Sequence, residues 1–298
     1  MERVGTEDVF TPVLKTLARK VLPVRIRSAL WRAVDEVNEW KTAFQLARIR
    51  RHMFAVLPGT SKTVQMLHYT LHTNDGRISY DLYEDIFIEQ IYHFEAQRPA
   101  PFILDLGSHI GISILYFKHI YPQARIIGFE PDSLLFLYLR ENITKNGLAD
   151  VQLVQAAVAG REGTQTFYSD GGKIGSSLSE HLLGDISRGW VEYEVPCVRL
   201  RDYLTEPVDL IKMNVEGAEW EVLADSEDRL HHVREMIIEY HHFPELPRSL
   251  HKILDLLHRH HFEYVVSDFG LESFGLQPPV RLHPQTRYCR LIYARRMS

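Results

Sequence analysis

From Phe102 onward, short apolar runs of strand length alternate with stretches in which apolar residues recur at helical spacing. The seven runs that predict strands cover residues 102–106, 125–130, 151–157, 208–214, 234–240, 262–267 and 287–294. Strands that alternate with helices are typical of a doubly wound α/β fold with a mostly parallel sheet. A proline-rich loop rather than a helix joins the last two runs, so we expect the last strand to be antiparallel.

The residues before this core have a different pattern. Apolar positions recur at helical spacing over residues 12–57, and they are accompanied by the arginines at positions 25, 27, 32, 48, 50 and 51. This pattern predicts a helical, basic amphipathic N-terminal extension over residues 1–60, followed by one domain over residues 61–298 with its core from about Phe102. Such an extension could make a peripheral contact with an anionic membrane surface. The alternative that we favour is a helical cap on the domain or a dimer contact.

Two further segments have their own patterns. Residues 62–80 contain the turn sequence Thr73-Asn74-Asp75-Gly76 between two short runs, which predicts a β-hairpin. Residues 81–97 have the composition of a helix. Residues 163–200 alternate and turn in the manner of a β-rich insertion.

Charge is distributed unevenly along the chain. Residues 1–58 contain 11 Lys/Arg against six Asp/Glu, a balance of +5, and the remaining residues sum to −10. An acidic main body disfavours general nucleic-acid binding, which normally uses a basic face, and favours a small-molecule partner. Neither a secretory leader nor an apolar run long enough to cross a bilayer is recognisable, so we expect a cytoplasmic protein. The oligomeric state stays open, and a homodimer is one option.

A glycine loop follows the first core strand. That strand ends at Asp105, and Gly107 and Gly111 precede an apolar helix. Ligands of open α/β sheets bind beyond the carboxyl ends of the strands. The glycines stand four apart and do not form G-x-G-x-x-G, which disfavours a diphosphate ligand and a nicotinamide dehydrogenase. An acid at this strand end suits a ligand with an ammonium and a sulfonium group, and S-adenosylmethionine is such a ligand.

A second acid, Glu130, ends the next strand, 25 residues beyond Asp105. A carboxylate can accept hydrogen bonds from both hydroxyls of a ribose. Pro131 follows and is expected to start the next helix, where its missing N–H is harmless. The alternative for Glu130 is a helix N-terminal acid stabilised by the macrodipole.

Together these motifs resemble the FkbM-type methyltransferases from about Tyr83 to the last strand. The resemblance is carried by ILDLGSHIG (103–111), FEP (129–131), AAVAG (156–160), GSSL (175–178) and DLIKMNVEGAE (209–219). It implies a class I methyltransferase fold with seven strands, the last antiparallel, and S-adenosylmethionine as cofactor. It also implies O-methylation of a sugar, glycolipid or polyketide-type hydroxyl. His109 and Asn214 stand where the family commonly has Asn and Asp.

The resemblance and the motifs together assign the cofactor site. The predicted cofactor contacts are Asp105, Gly107, Ser108, His109, Gly111, Glu130, Pro131, Ala157 and Asn214. An asparagine at position 214 can form hydrogen bonds but cannot act as a base. This residue therefore also argues against a metal at that position.

Several residues could serve the reaction. Lys212 lies in an apolar central strand and must be paired or functional. Glu216 and Glu219 at the start of the next helix could organise the acceptor pocket with Lys212, and Glu216 is the first candidate for the base. The alternative is that both are helix N-terminal acids with Lys212 as a structural partner. The candidate catalytic residues are Glu216, His241, His242 and Lys212, and the candidate substrate contacts are Ser176, Ser177, Glu219 and Glu239.

The two histidines follow Glu239 at the end of a later strand, so either could deprotonate an acceptor that Glu239 orients. The loop that contains Ser176 and Ser177 could act as a lid. No recognised zinc spacing is present among the histidines or the two cysteines, so we expect no metal. Two alternatives to a hydroxyl acceptor are a carboxylate acceptor and a non-catalytic module that binds S-adenosylmethionine.

Overall fold

The computed structural model describes residues 46–169, 191–244, 246–268 and 288–297. The chain divides into two units between Arg51 and His52, and the described residues of the first unit, 46–51, are helical. The rest of the predicted extension lies outside the described residues, and so do the predicted lid and the proline-rich loop. The second unit contains the fold described below.

The second unit has twelve described strands and five described α-helices. The strands are β1 (Lys62–Met66), β2 (Tyr69–Thr73), β3 (Phe102–Leu106), β4 (Arg125–Phe129), β5 (Val151–Val154), β6 (Ala157–Ala159), β7 (Gly163–Ser169), β8 (Val191–Arg199), β9 (Val208–Met213), β10 (Val233–His242), β11 (Phe262–Asp268) and β12 (Tyr288–Arg296). The helices are α1 (Gly76–Tyr83), α2 (Ile112–Ile120), α3 (Ser133–Lys145), α4 (Glu219–Asp225) and α5 (Leu250–Arg259). A π-helical turn follows α1 at Glu84–Ile88, and 3-10 turns cover Leu200–Tyr203 and Glu227–His232.

Seven strands form the main sheet in the order β11-β12-β10-β9-β3-β4-β5. β5, β4, β3, β9 and β10 are parallel to one another, whereas β12 runs antiparallel to both β10 and β11. This arrangement confirms the predicted seven-stranded, mostly parallel sheet with an antiparallel last strand. The predicted strand boundaries differ from the observed ones mainly at 151–157, where β5 ends at Val154 and Ala157 belongs to a different sheet.

The hairpin prediction is right about the strands and wrong about the turn. β1 and β2 pair antiparallel, but the chain reverses at Leu67 and His68. Asp75 instead caps α1, because its side chain accepts hydrogen bonds from the backbone N–H groups of Arg77 at 2.9 Å and Ile78 at 3.1 Å. The sequence Asn-Asp-Gly therefore starts a helix here.

The helix predicted over 81–97 is shorter than expected. Helical structure runs from Gly76 through α1 and the π-helical turn and ends at Ile88, and the chain is irregular up to β3. The predicted β-rich insertion is confirmed over its described part. There β6, β8 and β7 form a three-stranded sheet in that order.

The core lies on both faces of the main sheet. Every residue of β3 and β9 is buried, as expected for central parallel strands. On one face, apolar residues of these strands pack against Val222 and Leu223 of α4 and Ile253 and Leu256 of α5. None of the helices within the described residues has the length and apolar character needed to span a bilayer.

Candidate cofactor and acceptor site

The glycine loop joins the carboxyl ends of three central strands. The N–H groups of Gly107 and Ser108 both donate to the carbonyl of Phe129 at the end of β4, at 3.0 and 2.8 Å. Gly107 has a φ of +80°, and a Cβ at this position would lie 1.9 Å from the carbonyl oxygen of Asn214. The loop passes so close to the end of β9 that only glycine fits.

Asp105 does not line the cavity described below, so the structure does not support its assignment as a cofactor contact. Its side chain is fully buried. The hydroxyl of Ser113 donates to its Oδ2 at 2.6 Å, and Lys212 Nζ lies 3.2 Å from its Oδ1. Asp105 therefore forms an ion pair with Lys212.

Lys212 holds the glycine loop in place. Besides the ion pair with Asp105, its ammonium donates to the carbonyl of Gly107 at 2.6 Å and to that of Leu106 at 3.3 Å. Two of the three ammonium protons are thus donated to backbone carbonyls, and Asp105 Oδ1 lies at ion-pair distance without accepting a hydrogen bond. The structure thus places Lys212 as a positioning residue and not as a group that could take a proton from an acceptor. Its ion pair is with Asp105, whereas Glu216 and Glu219 both lie near His241.

Glu130 lies at the wall of the cavity and is held by two backbone donors. The N–H of His109 donates to its Oε2 at 2.8 Å, and that of Asp132 donates to its Oε1 at 2.9 Å. Burial raises the pKa of Glu130 to about 8, although these hydrogen bonds oppose the shift. A carboxylate offers about four lone-pair positions, so each oxygen can still accept one hydroxyl of a vicinal diol.

The helix after Glu130 is capped by Asp132. Its side chain accepts hydrogen bonds from the backbone N–H groups of Leu134 and Leu135, and α3 begins at Ser133. Pro131 therefore precedes the cap and does not start the helix as predicted. Since Asp132 satisfies the helix terminus, Glu130 is free of that role.

A cavity of about 160 Å³ lies beyond the carboxyl ends of β3, β4 and β9. The predicted cofactor contacts line it except for Asp105 and Gly111, and Lys212 and Glu216 also line it. Gly111 caps α2 with a φ of +91° and therefore shapes the loop from behind.

One wall of the cavity was missed by the sequence analysis. It consists of Ile78 and Leu82 from α1 and Ile86 from the π-helical turn, and Tyr92 follows in the irregular segment. The signal was present in the sequence. Apolar residues at 78, 82 and 86 recur every four positions behind an Asp that can cap a helix.

On the acceptor side, His241 lies between two carboxylates. Its Nε2 is 3.7 Å from Glu216 Oε2, and its Nδ1 is 3.2 Å from Glu219 Oε1. Glu216 lies before α4 with a φ of +49°, so it belongs to the loop and not to the helix as predicted. Burial alone would lower the pKa of His241, but Glu216, Cys289 and Glu219 raise it well above its usual value.

Glu239 lies behind Tyr92 and Asn214, two of the residues that line the cavity. The hydroxyl of Tyr92 donates to its Oε1, and the amide of Asn214 donates to its Oε2 at 3.0 Å. Burial raises the pKa of Glu239, and burial together with this carboxylate raises the pKa of Tyr92 well above its usual value. Glu239 therefore positions two residues that line the cavity and does not reach the cavity itself. Glu219 is likewise buried and accepts from the N–H of Gly217 at 3.0 Å.

The structure separates His242 from the other predicted catalytic residues. Successive side chains of a strand point to opposite faces, so His242 faces away from His241. Its ring lies 4.7 Å from that of Tyr288, centroid to centroid. The two predicted substrate contacts Ser176 and Ser177 lie outside the described residues. The acceptor side that the structure assembles therefore comprises Glu216 at the cavity, with His241 and Glu219 behind it.

The chain is similar to several known proteins. A family model described as the methyltransferase FkbM domain matches residues 105–264. The 2-O-methyltransferase NoeI of Sinorhizobium fredii is 32% identical over 54% of this chain and 72% of its own length. The 31-O-demethyl-FK506 methyltransferase FkbM of Streptomyces tacrolimicus is 28% identical over 65% of this chain and 85% of its own. The solved structure of M. jannaschii TYW2 in complex with AdoMet aligns with a TM-score of 0.45 and 12% identity, over 81% of this chain and 89% of that chain.

Proposed function

Because the chain belongs to the FkbM methyltransferase family and is a methyltransferase dependent on S-adenosylmethionine, we propose that it methylates a hydroxyl of a small molecule. The acceptor class is a sugar, a glycolipid or a polyketide-type natural product. The names of two relatives support this class, since they describe transfer to oxygen atoms at positions 2 and 31 of their substrates. The observation that carries the proposal is that Glu216 and Glu130 line one cavity.

The residues of the cavity fit the cofactor. The carboxylate of Glu130 retains an acceptor position on each oxygen for the two ribose hydroxyls. Because Gly107 has no side chain, the loop can pack against Asn214, and its backbone can lie against the ligand. Ile78, Leu82 and Ile86 form an apolar wall that can exclude water. When bound, S-adenosylmethionine supplies an electrophilic methyl group on a sulfonium.

The protein's main contribution is to align the acceptor oxygen with that methyl group. Positioning of this kind is worth effective molarities on the order of 10⁵–10⁸ M. A hydroxyl acceptor also releases a proton as the oxygen–carbon bond forms. Glu216 is the cavity carboxylate that is not assigned to the cofactor, so in this proposal it takes this proton.

His241 supports Glu216 from behind. Both of its ring nitrogens face carboxylates, Nε2 toward Glu216 and Nδ1 toward Glu219. The ring therefore links the loop that carries Glu216 to the start of α4. It acts as a positioning residue in this proposal, because its nitrogens are directed to other side chains and not to the cavity.

A methyl-transfer assay tests the proposal. The intact chain is incubated with methyl-labelled S-adenosylmethionine and, in parallel, with 31-O-demethyl-FK506, a set of oligosaccharides and glycolipids, and a set of peptides and small carboxylic acids. We expect label in an ether product of a hydroxyl-bearing acceptor. Label that appears only as methyl ester in the acid set would contradict the hydroxyl assignment, and binding of cofactor without transfer to any set would favour a non-catalytic module.

A further inference from the structure

We propose that Glu239, His241 and Cys289 form a binding site for a divalent cation of the zinc class. Each of the three residues offers one ligand atom, and these atoms all lie within 4.8 Å of one another. The inference concerns metal binding and does not depend on the identity of the acceptor. It replaces the expectation, drawn from sequence spacing, that the chain holds no metal.

The sheet itself brings the three residues together. Glu239 and His241 are two apart on β10, so their side chains share one face of the sheet. Cys289 on β12 is paired directly with His241 in the antiparallel ladder. Cross-strand partners have Cβ atoms about 4.5–5.5 Å apart. The candidate ligands are thus fixed by rigid strands and need no loop to close around the ion.

The ligand atoms define the type of ion. A thiolate, an imidazole and a carboxylate match the sulfur, nitrogen and oxygen ligands of Zn²⁺. Mg²⁺ and Ca²⁺ prefer sites made of oxygen atoms alone. Three protein ligands are also the number found in zinc sites that leave one position for water or another ligand.

The partners of the ligands correspond to those around known metal sites. A histidine bound to a metal usually donates its other ring N–H to a carboxylate, and bound carboxylates are themselves hydrogen-bonded. His241 has a carboxylate near each nitrogen, so either nitrogen can take the metal while the other donates. Glu239 already accepts hydrogen bonds from Tyr92 and Asn214. The groups that would orient the metal ligands are therefore already present in the protein.

The local charge also favours a cation. Glu216, Glu219 and Glu239 surround His241 or lie next to it. Lys212 offsets part of this charge, since it lowers the pKa of Glu239, but its ammonium is shared with Asp105 and the glycine loop. A divalent ion would neutralise this cluster and fix Tyr92, Asn214 and Glu216, all of which line the cavity.

Metal binding by the intact chain tests the proposal. The purified protein is stripped with a chelator, dialysed against Zn²⁺ and assayed for bound zinc. Separately, it is loaded with Co²⁺ to look for the thiolate-to-metal charge-transfer band. We expect about one equivalent of zinc and a clear thiolate band. Failure of the wild type to retain zinc at micromolar free ion, or a cobalt spectrum without the band, would overturn the site.

Variants identify the ligands. Cys289→Ser should abolish the thiolate band and weaken zinc binding by more than the roughly 10–100-fold that loss of an outer-shell partner costs. Cys197→Ser is the matched control, because Cys197 is also buried but lies in the three-stranded sheet. Tyr92→Phe keeps all three ligands and should weaken binding about 10–100-fold, so it serves as the test if Cys289→Ser does not fold. Equal losses in Cys197→Ser and Cys289→Ser would contradict the assignment.

Discussion

Lys212 Nζ lies 3.2 Å from Asp105 Oδ1, and the two residues are directly paired across the neighbouring strands β9 and β3. Both side chains are almost completely buried. The same ammonium donates to the carbonyl of Gly107, so the ion pair connects the strand ends to the loop that lines the cavity. A charged pair in the middle of an apolar sheet is tolerated here because the lysine ammonium also donates to two backbone carbonyls.

Removal of one partner of this pair should be costly. Asp105→Asn and Lys212→Met each leave a buried polar group without its counterpart, and we expect each to lower the free energy of unfolding by about 3–5 kcal/mol. Lys212→Met combined with Asp105→Asn should cost less than the two single variants together. Urea unfolding measures all three. The exposed pair Arg125–Glu206, at 2.7 Å, is the control, because Glu206→Gln should cost at most about 1 kcal/mol.

The glycine loop gives a second prediction. Gly107→Ala should abolish cofactor binding and destabilise the fold, because the new Cβ would lie 1.9 Å from the carbonyl oxygen of Asn214. Gly147→Ala is the matched control. Gly147 also has a positive φ, +60°, but no atom lies within 4 Å of the position that a Cβ would take. This variant should lose only about 1–2 kcal/mol of the free energy of unfolding, the cost of a left-handed backbone conformation for alanine, and it should retain its affinity for the cofactor. Equal loss of cofactor binding in both variants would refute the packing explanation.

The raised pKa of Glu130 predicts a pH dependence of stability. In the folded protein without ligand its pKa is about 8 against an ordinary value of 4.5. The stability contributed by this group is therefore fully present below pH 4.5 and is lost as the pH rises through about 8. Wild type should lose more thermal stability over that interval than Glu130→Gln does. Glu162→Gln, at a side chain 68% exposed, should follow the wild type. Identical profiles for wild type and Glu130→Gln would show that Glu130 is not the group responsible.

Glu216→Gln separates chemistry from binding. With a hydroxyl acceptor, the variant should retain its affinity for S-adenosylmethionine and lose about 10²–10⁴-fold in kcat, the usual contribution of a positioned base. Glu221→Gln, on the adjoining helix, should behave like wild type, because Glu221 does not line this cavity. An unchanged kcat in Glu216→Gln would indicate an acceptor oxygen that is already ionised, such as a carboxylate.

The sheet could be predicted from the sequence because its apolar runs have the length of strands. In most of the segments between these runs, apolar residues recur at the spacing of a helix. β3 matches the predicted run, and the antiparallel last strand follows from the proline-rich connection. The turn after β2 could not be placed correctly. Asn-Asp-Gly is compatible with both a hairpin turn and a helix cap, and the choice depends on packing. A Cβ at Gly76 would lie 1.7 Å from the carbonyl oxygen of Met53.

The site was predictable only where a motif lies within one loop. Glu130 and the glycine loop are local features, and the structure places both at the cavity. The roles of Asp105 and Lys212 depend on the register between β3 and β9, and this register cannot be inferred from the spacing of residues in the sequence. The pairing of His241 with Cys289 depends in the same way on the register between β10 and β12.

Calorimetric titration with S-adenosylmethionine tests the central claim most directly, with wild type, Glu130→Gln and Glu162→Gln compared at one pH above 8, where Glu130 is ionised. The account predicts that wild type and Glu162→Gln bind alike. Glu130→Gln should bind about 10–100-fold more weakly, since hydrogen bonds to a charged group contribute about 1.5–3 kcal/mol. Absence of binding by the wild type, or equal affinity of Glu130→Gln and wild type, would contradict the assignment of this cavity to the cofactor.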